Sequence, residues 1–140
     1  VQADVCHLPV RDKSVSSVIF DPPFMFGTHG QTKNNRMNKR FTMFNTWDEL
    51  TEMYQRGLRE INRVLTYGGV LAFKCQDYTD SHTTLTHVFV AQWIHESGFR
   101  IEDLFVLVAV GGRIYNPTLK QRHARKFHCY WYVCKKVRQT

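Results

Sequence analysis

The chain has 140 residues, a hydrophobic fraction of 43%, a charged fraction of 22% and a formal net charge of +7. This size and composition fit one globular domain with a real core and exclude a disordered or collagen-like chain. The longest apolar run, Leu104 to Val110, is far shorter than the roughly 18 residues of a membrane span.

In chain order, Val1 to Val5 reads as a short strand and Asp12-Lys13-Ser14 as a turn. Val15 to Phe20 is a strand, stopped by Asp21-Pro22-Pro23 because proline cannot continue a ladder. Residues 25–45 form a long loop, a length that in a compact domain marks function or mobility. Thr46-Trp47-Asp48-Glu49 is a capping box, followed by Trp47, Leu50, Tyr54, Leu58, Ile61 and Leu65 at helical spacing. That helix is expected to stop at Tyr67-Gly68-Gly69. Val70 to Cys75 is apolar enough for a strand covered on both faces. A second helix starts at Thr83 or Thr84 and closes at Gly98. Ile101 to Val110 and Phe127 to Lys135 are the last two strands, expected to pair antiparallel around the loop 111–126. Alternating strands and helices make this an α/β chain with a mostly parallel sheet.

Charge is segregated. Residues 22–47 hold Lys33, Arg36, Lys39 and Arg40 and no acid. Residues 104–140 hold Arg113, Lys120, Arg122, Arg125, Lys126, Lys135, Lys136 and Arg138, again without an acid. These zones are interleaved with Phe, Tyr, His and Asn, a pattern that attracts a nucleic-acid backbone. Lys33, Arg36, Lys39, Arg40, Arg113, Lys120, Arg122, Arg125 and Lys126 are the candidate contacts. Phe41 and Phe44 read as local core before base-stacking platforms, and His123 and His128 as phosphate contacts or caps of the sheet edge. The four cysteines, Cys6, Cys75, Cys129 and Cys134, form no C-x-x-C pair. They read as reduced thiols of a cytoplasmic protein, and the histidines show no metal-site spacing.

The strongest chemical signal is Asp21-Pro22-Pro23-Phe24 directly after a hydrophobic strand. Ligands of open α/β sheets bind just beyond the carboxyl ends of strands. A rigid Asp-Pro-Pro corner there presents a carboxylate and a carbonyl. Asp21 and the Pro22 carbonyl can accept both N–H groups of an exocyclic amine, leaving the nitrogen lone pair aimed at an electrophilic methyl group. Phe24 can stack on the base. Gln76 and Asp77 follow another apolar strand and lie near the same crevice, as contacts or as a plain turn.

The stretch from Ala3-Asp4-Val5 through Leu8-Pro9 to Val18-Ile19-Phe20-Asp21-Pro22-Pro23-Phe24 resembles the S-adenosylmethionine-dependent amino-group DNA methyltransferases. The runs Leu58–Leu65, Gly68-Gly69-Val70-Leu71 and Phe73-Lys74-Cys75-Gln76-Asp77, and the closing His123–His128 stretch with its strand, are similar to later parts of that fold. The resemblance implies a Rossmann-like sheet with a C-terminal antiparallel hairpin and S-adenosylmethionine as cofactor. It implies Asp21, Pro22, Pro23 and Phe24 as the amine-holding motif. It implies cofactor contacts at Asp4, at the Val5 amide and at Asp21. Aspartate in the motif points to adenine N6 in DNA before cytosine N4. An RNA base methyltransferase and a non-catalytic nucleic-acid-binding module are the alternatives.

The family's early glycine-rich turn, which holds the cofactor's methionine part, has no counterpart here. Residues 1–140 therefore read as one domain forming the C-terminal two-thirds to three-quarters of the full fold, with its first strands missing. An upstream segment of about 40 to 60 residues, in the same chain or a partner, is expected to complete the site and to cover the edge of the Val15–Phe20 strand.

Overall fold

A computed structural model of the protein describes residues 2–27, 44–79, 82–111 and 126–138. The elements in order are β1 (Val15–Phe20), α1 (Trp47–Val64), β2 (Leu65–Cys75), β3 (Tyr78–Thr79), β4 (Thr83–Thr84), α2 (Thr86–Glu96), β5 (Phe99–Val108) and β6 (His128–Lys136). Among the described residues, no helix is long and apolar enough to cross a membrane.

The main sheet has the order β1-β2-β6-β5, and β3 and β4 form a separate small hairpin. β1 pairs parallel with β2, while β6 pairs antiparallel with both β2 and β5. The expected terminal antiparallel pair is present, but the described strands do not show a mostly parallel sheet. β1, β2 and β5 run the same way, yet β6 inserts between β2 and β5, so only one pairing among the described strands is parallel.

Helix α1 starts as its capping box predicts. The Glu49 amide donates to Thr46 Oγ1 over 3.1 Å, and the Glu49 carboxylate reaches one residue further back, accepting from the Asn45 amide at 2.8 Å. Leu50, Tyr54, Leu58, Ile61 and Val64 form its buried stripe. The helix ends at Val64, earlier than the Tyr67-Gly68-Gly69 stop. The chain passes straight into β2, because Leu65 takes extended geometry (ψ 140°) while its amide still closes the helix on Ile61. The glycines instead shape an irregularity inside β2. Between Val15 and Ser17 of β1, β2 advances from Leu65 to Val70. Gly68 takes a positive φ of 75°, and a Cβ on Gly69 would lie 2.8 Å from the Thr66 carbonyl oxygen. Tyr67 is left projecting on this excursion, 47% exposed.

Both helices pack against one face of the sheet. Phe20, Phe73 and Tyr132 meet Leu50, Tyr54, Leu58, Val90, Trp93 and Ile94 there. Phe20 and Phe73 lie 4.9 Å apart, and Tyr54 contacts Phe73 edge-on at 5.4 Å. The other face is not covered among the described residues: Ile19 is 75% and Phe105 56% exposed. β2 therefore alternates buried and half-buried residues, against the expectation of cover on both faces. β5 is exposed after Phe99, with Leu104 to Val108 all open.

Two further expectations are corrected. Residues 2–5, the described part of the expected first strand, do not form one. The Asp4 carboxylate accepts from the Cys6 amide at 2.9 Å and the His7 amide bonds to the Asp4 carbonyl, so the segment closes into a tight turn with one isolated bridge. The second helix begins at Thr86, because Thr83 and Thr84 are taken by the β3–β4 pairing.

Candidate active site at the carboxyl ends of the strands

β1 delivers Phe20 into the core and Asp21 to the surface. Pro22 is buried, so the corner is set by packing as well as by its fixed φ. The hydroxyl of Tyr54, from α1, donates to the Pro23 carbonyl over 2.7 Å. Burial pushes the Tyr54 phenol far above its ordinary range, so it remains a donor at any physiological pH. The Asp21 carboxylate pairs with the Lys74 ammonium at 2.8 Å, and its side chain stays 51% exposed. Lys74 also lies over the Trp131 ring at 5.8 Å, so this pair sits on the open face of the sheet.

The chain beyond the corner is pinned. The Gly27 amide donates to the Phe44 carbonyl and the Phe44 amide to the Met25 carbonyl, each over 3.1 Å. The Phe26 ring packs on Trp47 at 5.1 Å and on Tyr78 at 5.0 Å. Phe44 packs against the core, in line with its local-core reading, and Phe24 is half-buried. Phe41 and His123 lie outside the described residues. So do Lys33, Arg36, Lys39, Arg40, Arg113, Lys120, Arg122 and Arg125. Lys126 is described and half-buried, just before β6.

At the end of β2, Gln76 and Asp77 are buried, and Asp77 is the centre of a polar cluster. Its Oδ1 accepts from the His87 amide at 3.1 Å and lies 2.7 Å from His87 Nδ1. Leu85, the N-cap of α2, has no side chain to cap the helix. Asp77 supplies that missing acceptor and places a negative charge at the positive helix end. His87 stacks on Tyr130 at 4.1 Å, and the Tyr130 hydroxyl lies 3.0 Å from His128 Nε2. Tyr132 donates to the His87 carbonyl at 2.7 Å. Burial first, and the Asp77 charge second, push the Tyr130 phenol up.

Asp4 and Val5 lie in the N-terminal turn. The Cys6 amide holds the exposed Asp4 carboxyl below its usual range, and Val5 packs partly on the core. This turn is followed by a staple. The Leu8 amide donates to Glu60 Oε1 at 2.7 Å, and Arg63 donates to the Leu8 and Val10 carbonyls and to Asp12 and Glu60. Tyr54, Lys74 and His87 carried no site signal in the sequence. Tyr54 read as one more position of an apolar stripe, and Lys74 and His87 act through partners 53 and 10 residues away.

No protein-family model and no curated protein matches the sequence. Solved structures do. A protein from Thermus thermophilus, provisionally assigned as a DNA modification methylase, superposes with a TM-score of 0.67 at 16% identity, over 99% of this chain and 53% of that one. Its complex with S-adenosyl-L-methionine gives 0.66 at 16% identity, over 98% and 54%. The PvuII DNA methyltransferase, specific for cytosine N4, gives 0.65 at 14% identity, over 92% and 45%. The chain shares its fold with part of each of these structures. It spans about half the length of these structures. In that fold Asp21 and Asp77 both follow strands at their carboxyl ends, on the side where open α/β sheets bind ligands.

Proposed function

We propose that this chain carries the amine-holding part of a methyltransferase that acts on the exocyclic amine of a nucleobase, adenine N6 in DNA. The observation that carries this reading is the Asp21 corner. An exposed carboxylate follows a strand end, on a turn fixed by two prolines and by the Tyr54–Pro23 hydrogen bond. Asp21 accepts one N–H of the amine and the Pro22 carbonyl the other. Phe24 covers the base. Holding both donors keeps the lone pair out of the ring and aimed at the methyl group, so catalysis is mainly positioning. Lys74 holds the Asp21 carboxylate in place from the side.

S-adenosylmethionine, when bound, supplies the electrophilic methyl group. The residues present fit part of such a cofactor: Asp21 at the reacting end, and the Asp4–Val5 turn, whose carboxylate is already oriented by a backbone amide. No glycine-rich turn for the methionine part occurs in the sequence, so those contacts come from a further segment or a partner chain. Lys33, Arg36, Lys39, Arg40, Arg113, Lys120, Arg122, Arg125 and Lys126 supply the charge for the nucleic-acid backbone. An amine inside a duplex is out of reach, so the base leaves the stack. Reduced thiols suit a cytoplasmic setting.

A binding-only module is the second reading, favoured by the absent glycine turn. The test is labelled-methyl incorporation into DNA and RNA, with the intact protein and any partner that restores S-adenosylmethionine binding. Asp21→Ala is expected to lose at least about a hundredfold in rate, the scale of a lost positioning group, while nucleic-acid affinity stays constant. Unchanged methylation by Asp21→Ala sinks the site. Incorporation into RNA alone replaces DNA as the substrate. No incorporation with retained binding selects the module.

A further inference from the structure

At the opposite end of the sheet from Asp21, the excursion of β2 places Tyr67 in a cleft of about 480 Å³. The six residues of β1 separate the two places by about 20 Å at strand rise. The cleft is lined by Lys13, Asn62, Arg63, Tyr67, Gly98 and Lys136, among others, with Arg138 beside it in sequence after the lining residue Val137. Three cations gather on the one phenol ring. The ammonium groups of Lys13 and Lys136 each lie 5.0 Å from its centre, and the Arg138 guanidinium lies 5.3 Å away.

Among the described residues, no carboxylate forms an ion pair with these three charges. Asp12 lines the same cleft, but Arg63 engages it. Lys136 is buried, and its ammonium donates to the Asn62 carbonyl at 2.5 Å and to the Leu65 carbonyl at 2.8 Å. Part of its charge therefore serves the negative end of α1. Among the described residues, the Lys13 and Arg138 side chains have only the ring as partner. Tyr67 offers each an attractive face, but a phenol carries no net charge and leaves their mutual repulsion in place. Burial first, and Lys13 repulsion after it, hold the Lys136 ammonium below its ordinary range, with Asp12 acting weakly the other way. A cleft with converging unpaired cations and a polar floor suits a compact, multiply charged anion, which bridges several donors at once.

We propose that this cleft binds a phosphoryl group, with Lys13 and Arg138 as its direct ligands, Lys136 as the buried charge behind them and Tyr67 as the platform that gathers all three. The phosphoryl group belongs either to free phosphate or to a nucleic-acid backbone, and the chemistry of the cleft is the same for both. The site is independent of the methyl-transfer reading, because it shares no residue with the Asp21 corner.

The experiment compares the full chain with the Lys13→Asn/Arg138→Gln variant. Asparagine is chosen because position 13 has a φ of 50°, which it tolerates. An Arg59→Gln/Lys135→Gln variant removes the same charge from exposed positions outside the cleft. The readouts are the thermal midpoint in sodium phosphate against sodium chloride at equal ionic strength, and the salt dependence of binding to a short single-stranded oligonucleotide. Circular dichroism checks that each variant folds. Phosphate is expected to raise the midpoint of the wild type and of the Arg59/Lys135 variant, and not of the Lys13/Arg138 variant. An oligonucleotide salt slope shallower by about 1.4 in the Lys13/Arg138 variant, two phosphate contacts at single-strand values, assigns the backbone as the source. An unchanged slope with the phosphate effect present assigns free phosphate. The proposal is overturned if the Lys13/Arg138 variant matches the wild type in both readouts, or if the Arg59/Lys135 variant loses as much.

Discussion

The Tyr54 hydroxyl donates to the Pro23 carbonyl across 2.7 Å, joining the middle of α1 to the corner that follows β1. The ring of Tyr54 is fully buried against Phe73 and Trp93, so this bond has one geometry available to it. Tyr54→Phe keeps the ring and removes the donor. The expected cost is about 1–3 kcal/mol, the scale for a hydrogen bond whose acceptor is left without its partner. Urea unfolding measures it. Under the proposed function, methyl transfer falls as well, while binding of S-adenosylmethionine is unchanged. A variant with wild-type stability and wild-type transfer would mean that the two prolines hold the corner unaided.

Arg63 and Glu60 hold the segment from Leu8 to Asp12 on α1. Arg63→Met removes the donors to the Leu8 and Val10 carbonyls and leaves Glu60 with only the Leu8 amide. The expected result is faster amide exchange at Leu8 and at the Cys6 amide of the Asp4 turn, with Leu71 in β2 unaffected. The same contact sets a pH dependence. The Arg63 hydrogen bonds hold the Glu60 carboxyl below its ordinary 4.5. A depressed carboxylate gives stability that is present above that value and lost as pH falls through the folded one. Protection at Leu8 should therefore decline below about pH 4.5 before the β2 core opens. Exchange that rises equally at Leu8 and Leu71 would show that this segment and the sheet open as one unit.

The features legible in the sequence were those written within a few neighbouring residues. The Thr46–Glu49 box and the Asp21-Pro22-Pro23 corner each depend on local backbone geometry, and both stand where the residues placed them. The α1–β2 junction is ambiguous in sequence because Leu65 continues the helical apolar stripe and also begins an apolar strand, a case that periodicity alone does not resolve. The sheet was read as mostly parallel because strand direction follows from the order of elements, whereas pairing depends on where β6 inserts. Contacts between distant residues left no sequence trace. Lys136 reads as one of a basic run, yet it is buried on the end of α1, 71 and 74 residues from its two acceptors. Asp77 reads as part of a turn, yet it caps α2 and orients His87.

The buried thiols and phenols make the protein sensitive to base. Burial pushes Cys134 up to about 12 from an ordinary 9.0, and raises Cys75, Tyr54 and Tyr132 beyond that. These acids stay protonated in the folded chain while the unfolded chain releases its protons. A raised acid gives stability that is full below the unfolded value and lost as pH climbs through the folded one. Once the pH exceeds the ordinary value of a group, each contributes a loss of about 1.4 kcal/mol per pH unit. Lys136 works in the opposite direction, since burial lowers it, but it is one group against four. Denaturant midpoints should therefore fall steeply from pH 9 upward, and Cys134→Ala should flatten part of that slope. A midpoint constant to pH 11 would mean that these side chains ionise freely and are not held in the core.

The two faces of the sheet differ in what a truncation should cost. Phe73 is fully buried between Phe20 and Tyr54, whereas Ile19, one residue before Phe20, is 75% exposed on the opposite face. Phe73→Ala is expected to cost about 3–5 kcal/mol through lost burial and the cavity left behind. Ile19→Ser is expected to change stability by less than about 0.5 kcal/mol, as surface substitutions do. Both are read by urea unfolding of the chain as it stands. The comparison then separates two accounts of the apolar side chains on the open face, Ile19, Trp131 and Phe105 among them. If Ile19→Ser is silent in this chain and costly once the polypeptide that restores S-adenosylmethionine binding is present, that polypeptide packs on this face and completes the layer that α1 and α2 form on the other. If Ile19→Ser costs as much as Phe73→Ala in the chain alone, the face is already covered from within, and the open layer has to be withdrawn.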